Sequence, residues 1–458
     1  MQILRVQVPS FRALQNIDIS FEKEYFPKIF PLGSQNGGGK STLLQLIFVL
    51  LHCSTNPDRL EFLTNFLESK SQEYFVENNL LAKLEILVED INVELEFFFC
   101  SSQYIQNLEQ NDILLDEIIE VIERLRQEIA DDEKTLDSVK KRVKSSKSTE
   151  EVKKISRTLV YTLGERDKRE EFLKKQQEIT REITAKQQSL SSLIKKITSL
   201  FRNLYDKQLL YIKDFRSKRN NQLFASHLLC RFNTSGEQID IRELLEKVCE
   251  KVFLAAPSTQ IFLFLSKDHR RLLFKIDNNE SYPEKLSSAK SHLPGLFTYD
   301  FIDINLLVDV FKVARDKDFE QATRTGDYGN HYRDLIAEIN SLLTNKQINV
   351  NPDLSGITFK MQSGDQKIEL NPEDLSHGEL KRLCIYMWLK YRNIEDALVL
   401  MDEVEIAFHP DWQYRIVSDL QEWAPSNQYI LGTHSHELCQ ALSPAHVKEI
   451  PPKLLPIK

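Results

Sequence analysis

No proline lies between Pro57 and Pro257, and Gly164 is the only glycine between Gly39 and Gly236. A span so poor in breakers excludes a loop-rich middle and permits very long helices. Cysteine is nearly as sparse. The six (Cys53, Cys100, Cys230, Cys249, Cys384 and Cys439) form no C-x-x-C pair, which argues against a disulfide framework or a zinc hook and for reduced, mostly buried thiols. No apolar run approaches the roughly 18 residues that a membrane helix needs. The start, Met1-Gln2-Ile3-Leu4-Arg5-Val6, alternates like a strand instead of showing a basic stretch and an apolar core, so a cytoplasmic chain with no membrane partner is expected. Neither sign of charge prevails: 60 Lys and Arg face 68 Asp and Glu, a net −8. That balance argues against a protein generally coated in nucleic acid and leaves open a local basic patch.

What remains is the composition of a soluble globular chain, 41% hydrophobic and 28% charged over 458 residues, or about three domain-sized units at about 150 residues each. Inside the breaker-free span, Ile118, Ile122, Leu125, Ile129, Leu136, Val139 and Val143 follow a 4-3 spacing with one position lost to Asp132. Ile179, Ile183, Leu190, Leu193, Ile197 and Leu204 repeat the pattern, interrupted by Lys186. Two heptad arms predict an antiparallel coiled-coil hairpin, each arm about 40 residues and roughly 60 Å long. The polar run Lys144–Glu150 is the expected reversal, with Ser148 or Thr149 capping the returning helix. On either side the texture is α/β. Strands are expected at Gln2–Val8, Ile17–Phe21, Leu84–Val88, Val93–Phe99, Thr259–Leu265, Gly356–Met361, Ala397–Met401 and Gln428–Gly432, with helices after Lys40 and from Gly378 and Asp411. The expected division makes residues 1–104 and 366–458 two parts of one α/β head, 105–215 the hairpin and 216–365 a helical or mixed lobe.

The chemistry concentrates at the two ends. Pro31-Leu32-Gly33-Ser34-Gln35-Asn36-Gly37-Gly38-Gly39-Lys40-Ser41-Thr42 holds four of the 13 glycines and runs into Leu43-Leu44-Gln45-Leu46-Ile47. A loop that cradles phosphates must turn its N–H groups inward, in conformations glycine tolerates, and open on a helix N-terminus with partial positive charge. Strand, loop, Lys-Ser and apolar helix occur here in that order. Ser34, Asn36, Gly37, Gly38, Gly39, Lys40, Ser41 and Thr42 are therefore candidate nucleotide ligands, with Lys40 on the β- and γ-phosphates and the Ser41 hydroxyl on Mg²⁺. Ser34 stands where the G-x-x-x-x-G-K-[ST] pattern has its first glycine, so the entry turn departs from it.

Ala397-Leu398-Val399-Leu400-Met401-Asp402-Glu403 is an apolar strand ending in two carboxylates. That order suits Asp402 as a metal ligand and Glu403 as the group near the attacking water, although alone it is also an ordinary strand exit. Leu375-Ser376-His377-Gly378-Glu379 opens a helix. Such an N-terminus suits a second phosphate, through Ser376, Gly378 and Glu379, while Ser376 and Glu379 equally spell a capping box. His434 ends the strand Tyr429–Gly432 in a polar turn and is placed to touch a γ-phosphate, whereas a lone histidine is ordinarily structural.

Taken in this order, the four motifs resemble the ABC-type ATPase heads of the SMC, Rad50 and RecF group, over the first and last parts of the chain and in the idea of a helical arm between them. The resemblance implies a P-loop ATPase head split by an antiparallel coiled-coil hairpin. Gly37, Gly39, Lys40, Ser41 and Thr42 would be Walker A, Leu375–Glu379 the signature with His377 replacing a glycine, Asp402 and Glu403 Walker B, and His434 the switch histidine. It further implies ATP and Mg²⁺ as cofactors and a homo-oligomer in which one subunit's signature closes over another's Walker A nucleotide. The string from Pro31 to Leu46, the opening Phe11-Arg12 and the ending soon after His434 are similar to the ATPase subunits of bacterial Septu anti-phage systems, which implies a separate HNH nuclease partner. A TOPRIM nuclease after His434 is not expected, and no histidine–asparagine–histidine constellation with zinc cysteines is visible.

Three functions fit these motifs. One is a defence ATPase that regulates a nuclease subunit, another a repair or chromosome-maintenance ATPase that clamps DNA directly, and the third a scaffold that uses ATP only to assemble. Lys140, Lys141, Arg142, Lys144, Lys147, Lys153, Lys154 and Arg157 gather at the expected hairpin tip. They make either a DNA contact or a solvated helix face.

Overall fold

The protein is represented by a computed structural model that describes residues 1–35, 37–68, 79–109, 115–153, 162–219, 222–235, 240–266, 270–271, 291, 293–299, 304–363 and 366–451. The chain divides into two compact units. The first comprises Met1–Phe75, Asn79–Phe98 and Cys230–Lys458, and the second Val76–Asn78 and Phe99–Leu229.

The first unit opens with strands β1 (Gln2–Phe11), β2 (Leu14–Ser20) and β3 (Ile29–Gly33), helix α1 (Lys40–Phe48), and strands β4 (Asn79–Val88) and β5 (Ile91–Cys100). β1 pairs antiparallel with β2 and with β4, and Val6 and Val8 on β1 are buried, the one-sided period-2 burial of an antiparallel sheet.

The second unit holds two long helices, α2 (Leu115–Lys153) and α3 (Thr162–Asp206), strand β6 (Leu209–Arg219) and the first part of strand β7 (Gln222–Thr234), which ends in the first unit. The helices pack along each other. Ile129, Val139, Ile179 and Ile183 form a buried cluster against Leu136, Phe172 and Leu190. The two polar residues that break the heptads meet: Lys186 Nζ lies 2.8 Å from Asp132 Oδ2 and 3.1 Å from Glu128 Oε2. Lys144–Glu150 is not the reversal expected from the sequence, because α2 continues as helix to Lys153. The run contains no proline or glycine, and polarity alone does not stop a helix. The link to α3, Lys154 and Arg157 included, lies outside the described residues, as do the side chains of Arg142, Lys144, Lys147 and Lys153.

The rest of the chain completes the first unit with β8 (Val252–Ala256), β9 (Leu296–Thr298), β10 (Lys346–Val350), β11 (Ile357–Ser363), β12 (Gln366–Leu370), α4 (His377–Tyr391), β13 (Leu398–Asp402), α5 (Pro410–Trp423), β14 (Gln428–Gly432) and β15 (Lys448–Glu449). Five of these strands and β3 form one sheet in the order β15-β3-β14-β13-β8-β9, each neighbouring pair parallel. Every residue of β13 and β14 is buried, as expected of central strands covered on both faces. Thr259–Leu265, expected as a strand, is instead largely a 3₁₀ turn, Ser258–Leu263. Pro257 ends β8 just before it, and β8 already fills the place beside β13.

α4 packs into the core through Leu383, Tyr386, Met387 and Trp388. It is tied to α5 by a buried ion pair: Arg382 Nε and a terminal guanidinium nitrogen reach the Asp419 carboxylate at 2.6 and 2.8 Å, with both side chains 5% exposed. The parallel sheet aligns three strand ends, because Asp402 lies opposite Gly432 and Gly432 opposite Leu32. The carboxyl edge of such a sheet is where open α/β folds place ligands.

Candidate nucleotide site

α1 begins directly after the glycine loop, and Gly39 holds the left-handed φ of 97° that lets the chain turn into the helix. An added Cβ there would come within 2.6 Å of the Leu14 side chain, so the position excludes other residues on both counts. Lys40 lies almost wholly buried, its Nζ donating to the Ser34 hydroxyl at 3.0 Å and the Ser34 carbonyl at 3.3 Å. Ser34, the departure from the glycine pattern, thus holds the lysine through its side chain. Burial pushes the Lys40 ammonium below its ordinary range, and the nearby Asp402, Glu405 and Glu403 carboxylates oppose that shift.

Asp402 ends β13 with 1% exposure. Its Oδ2 accepts from Gln260 Nε2, whose own amide oxygen accepts from Gln45 Nε2 at 2.8 Å. Burial raises the Asp402 carboxyl above the usual range, while hydrogen bonds from Ser41 and Gln260 pull it down. Oδ1 has no hydrogen-bond partner among the described residues. Gly432, opposite it, has no room for a side chain, since an added Cβ would sit 2.6 Å from that same oxygen.

Glu403 follows in the left-handed region, φ 54°, its N–H donating to the Gly432 carbonyl at 2.8 Å. His434, two residues beyond β14, donates its main-chain N–H to Glu405 Oε1 at 2.7 Å. The structure brings these parts together around one cavity of 220 Å³, lined by Ala13, Gly37, Gly38, Gly39, Lys40, Ser41, Thr42, Asp402, Glu403 and His434. Asn36 lies outside the described residues.

The signature-like residues do not line that cavity. Ser376 caps α4 in a complete capping box: its hydroxyl accepts from the Glu379 N–H at 3.2 Å, and its N–H donates to Glu379 Oε2 at 3.1 Å. Glu379 is buried and held at 2.7 Å by Lys346, which leaves its carboxylate engaged within the fold. Gly378 lies in the first turn of α4.

Sequence reasoning passed over Gln45, Gln260, Glu405 and Lys381. Gln260 follows an apolar strand and a proline, which is a weak signal, because only the sheet order puts β8 beside β13. Among the described residues there is no group of three or more His, Cys, Asp or Glu side chains placed to hold a metal ion, and no helix long and apolar enough to cross a membrane.

The family profile described as an AAA ATPase domain matches residues 1–439. A retron Vc95 probable ATPase of Vibrio cholerae serotype O1 biovar El Tor is 37% identical over 54 residues, 12% of this chain and 10% of that protein, so the match spans a small part of the relative's length. Among solved structures, the SMC head domain from Thermotoga maritima aligns with a TM-score of 0.36 and 8% identity, covering 97% of this chain and 93% of that one. The Smc head domain with an extended coiled coil from Pyrococcus furiosus, bound to the C-terminal domain of ScpA, aligns with a TM-score of 0.30 and 11% identity, covering 96% and 91%.

Proposed function

We propose, since this chain belongs to the AAA ATPase domain family, that it binds and hydrolyses ATP with Mg²⁺ and couples the cycle to pairing of two heads of the SMC, Rad50 and RecF type. The observation that carries the reading is the gathering of Lys40, Ser41, Asp402, Glu403 and His434 around one 220 Å³ cavity from distant parts of the chain. The residues suit a magnesium nucleotide. The unpartnered Asp402 Oδ1 and the Ser41 hydroxyl would hold the ion, and Lys40 at the helix start would face the phosphates. Bound Mg²⁺ supplies positive charge against the γ-phosphate. Glu403 orients the attacking water and accepts its proton, and His434 touches the γ-phosphate. Ser376, exposed at the start of α4, acts as the signature toward the nucleotide of a second copy, with the buried Gly378 and Glu379 shaping that helix start, which fits their absence from this chain's own cavity.

The two heptad helices act as an antiparallel coiled coil. Within this frame the chain is the ATPase of an anti-phage defence complex that regulates a separate HNH nuclease, a reading supported by the likeness of its glycine loop to Septu ATPases and by the short match to a retron ATPase. Steady-state turnover and ATP binding test the reading. Lys40→Ala is expected to lose tight ATP binding, because it removes the one cationic side chain among the described residues that line the cavity. Glu403→Gln is expected to keep ATP·Mg²⁺ and hydrolyse it at least about tenfold more slowly, a loss of about 1.4 kcal/mol or more of transition-state stabilisation. Wild-type affinity in the first variant sinks the nucleotide site, and wild-type turnover in the second removes Glu403 from the mechanism.

A further inference from the structure

The turn after β13 is fixed from beneath. Glu403 and Ala407 hold left-handed φ of 54° and 71°, and the Phe408 N–H donates to the Glu405 carbonyl at 3.0 Å. Lys381, buried on α4, donates to the carbonyls of Glu403 at 3.0 Å and Ile406 at 3.2 Å, and its ammonium lies 3.9 Å from the centre of the Tyr299 ring. A main chain held at two carbonyls by one buried cation has little freedom to drift.

Out of this turn comes Glu405, only 7% exposed. One carboxylate oxygen accepts the His434 N–H at 2.7 Å. The other is buried and has no hydrogen-bond partner among the described residues. Burying a carboxylate for a single main-chain bond is costly, so stability alone gives no reason for it. Glu405 does not line the 220 Å³ cavity, whereas Glu403 and His434 both do. All three line an adjoining cavity of 420 Å³.

We propose that Glu405 is a positioning residue for phosphoryl transfer: its carboxylate suspends the main chain of His434 from the same turn that carries Glu403, and so keeps both groups at one spacing across the γ-phosphate position. This rests on the nucleotide-site reading. Removing the acceptor frees the His434 turn while Lys40, Ser41 and Asp402 stay in place, so the effect falls on turnover and spares binding.

The experiment compares wild type, Glu405→Ala and Glu405→Gln by ATP Kd, KM and kcat. Glu405→Ala is expected to lower kcat by about tenfold or more, the scale of a small misplacement of a reacting group, with Kd within about threefold of wild type. Glu405→Gln keeps an oxygen for the His434 N–H, and its kcat is expected within about threefold of wild type. An alanine variant with wild-type kcat, or with ATP binding lost in proportion, overturns the proposal. A glutamine variant as slow as alanine also overturns it, since the charge and not the acceptor would then be what turnover needs. If Glu405→Ala fails to fold, Glu405→Asp withdraws the acceptor by one methylene. The same fall in kcat at unchanged Kd is expected there, and wild-type kcat overturns the proposal. Wild-type protein without ATP turnover overturns the functional reading as well, whereas active wild type with an unaffected alanine variant sinks only the positioning role.

Discussion

As the proposed metal ligand, Asp402 carries two opposed demands. A metal ligand needs an ionised carboxylate with a free oxygen, yet such an oxygen, buried with no hydrogen-bond partner among the described residues, costs stability when no ligand is bound. Burial raises its pKa above the ordinary 3.8. A raised acid pKa contributes most stability at low pH, where Asp402 is protonated in both states, and that contribution is lost as pH rises through the folded value. Without nucleotide, Asp402→Asn is therefore expected to raise the unfolding midpoint at neutral pH by about 2–4 °C, with the gain shrinking as the pH falls from the raised folded value towards about 4 and absent below it, while metal-dependent ATP binding is lost. Thermal melts across pH check this, and an unchanged or lower midpoint at neutral pH contradicts it. The residue types were legible: Lys40, Ser41, Asp402, Glu403 and His434 each stand at the end of an apolar strand or the start of an apolar helix. Gln260 and Glu405 were not, because their partners, Asp402 and the His434 N–H, lie at long range.

At the level of elements, α4 begins with a cap and is anchored by a charge. The Ser376–Glu379 box satisfies the first N–H groups and the Arg382–Asp419 pair joins α4 to α5 in the core. Removing one partner of a buried pair leaves the other charge uncompensated, so Asp419→Ala is expected to cost about 3–5 kcal/mol, read as a lowered denaturation midpoint. A change under 1 kcal/mol would mean that the Arg382 guanidinium finds another partner. In the second unit the same theme recurs more weakly. Asp132 and Lys186, which look like flaws in two separate heptad runs, lie against each other, and a polar pair in an apolar seam fixes register. The sequence located both interruptions, but could not match them, since the alignment of two helices depends on where the chain turns. That turn was misplaced at Lys144–Glu150, where Ser, Thr, Lys and Glu are compatible with helix.

For the whole molecule, the signature-like start of α4 lies apart from the chain's own nucleotide cavity. The functional proposal makes it contact a second copy's nucleotide. Glu403→Gln with ATP·Mg²⁺ is then expected to accumulate a species of twice the protomer mass. Adding Ser376→Arg is expected to return it to single mass while ATP still binds, because the bulky cation blocks the opposing surface. Mass photometry with and without ATP reads this directly. Loss of ATP binding together with pairing would instead mark Ser376 as a cap whose removal disturbs the fold.

The glycine loop opening on a helix at Lys40, the apolar strand ending in Asp402-Glu403, the α/β ends and the breaker-free middle were legible along the chain, because each is a local pattern of backbone freedom, apolar periodicity and charge. Tertiary structure decided which strands are neighbours and therefore which polar groups meet. Only the order β3-β14-β13-β8 places Leu32, Gly432 and Asp402 in line and brings Gln260 to the carboxylate. Only the left-handed turn after β13 lets Glu405 reach back to His434. Spacing along a chain specifies which groups an element carries. Distance between elements is set by how their buried faces pack.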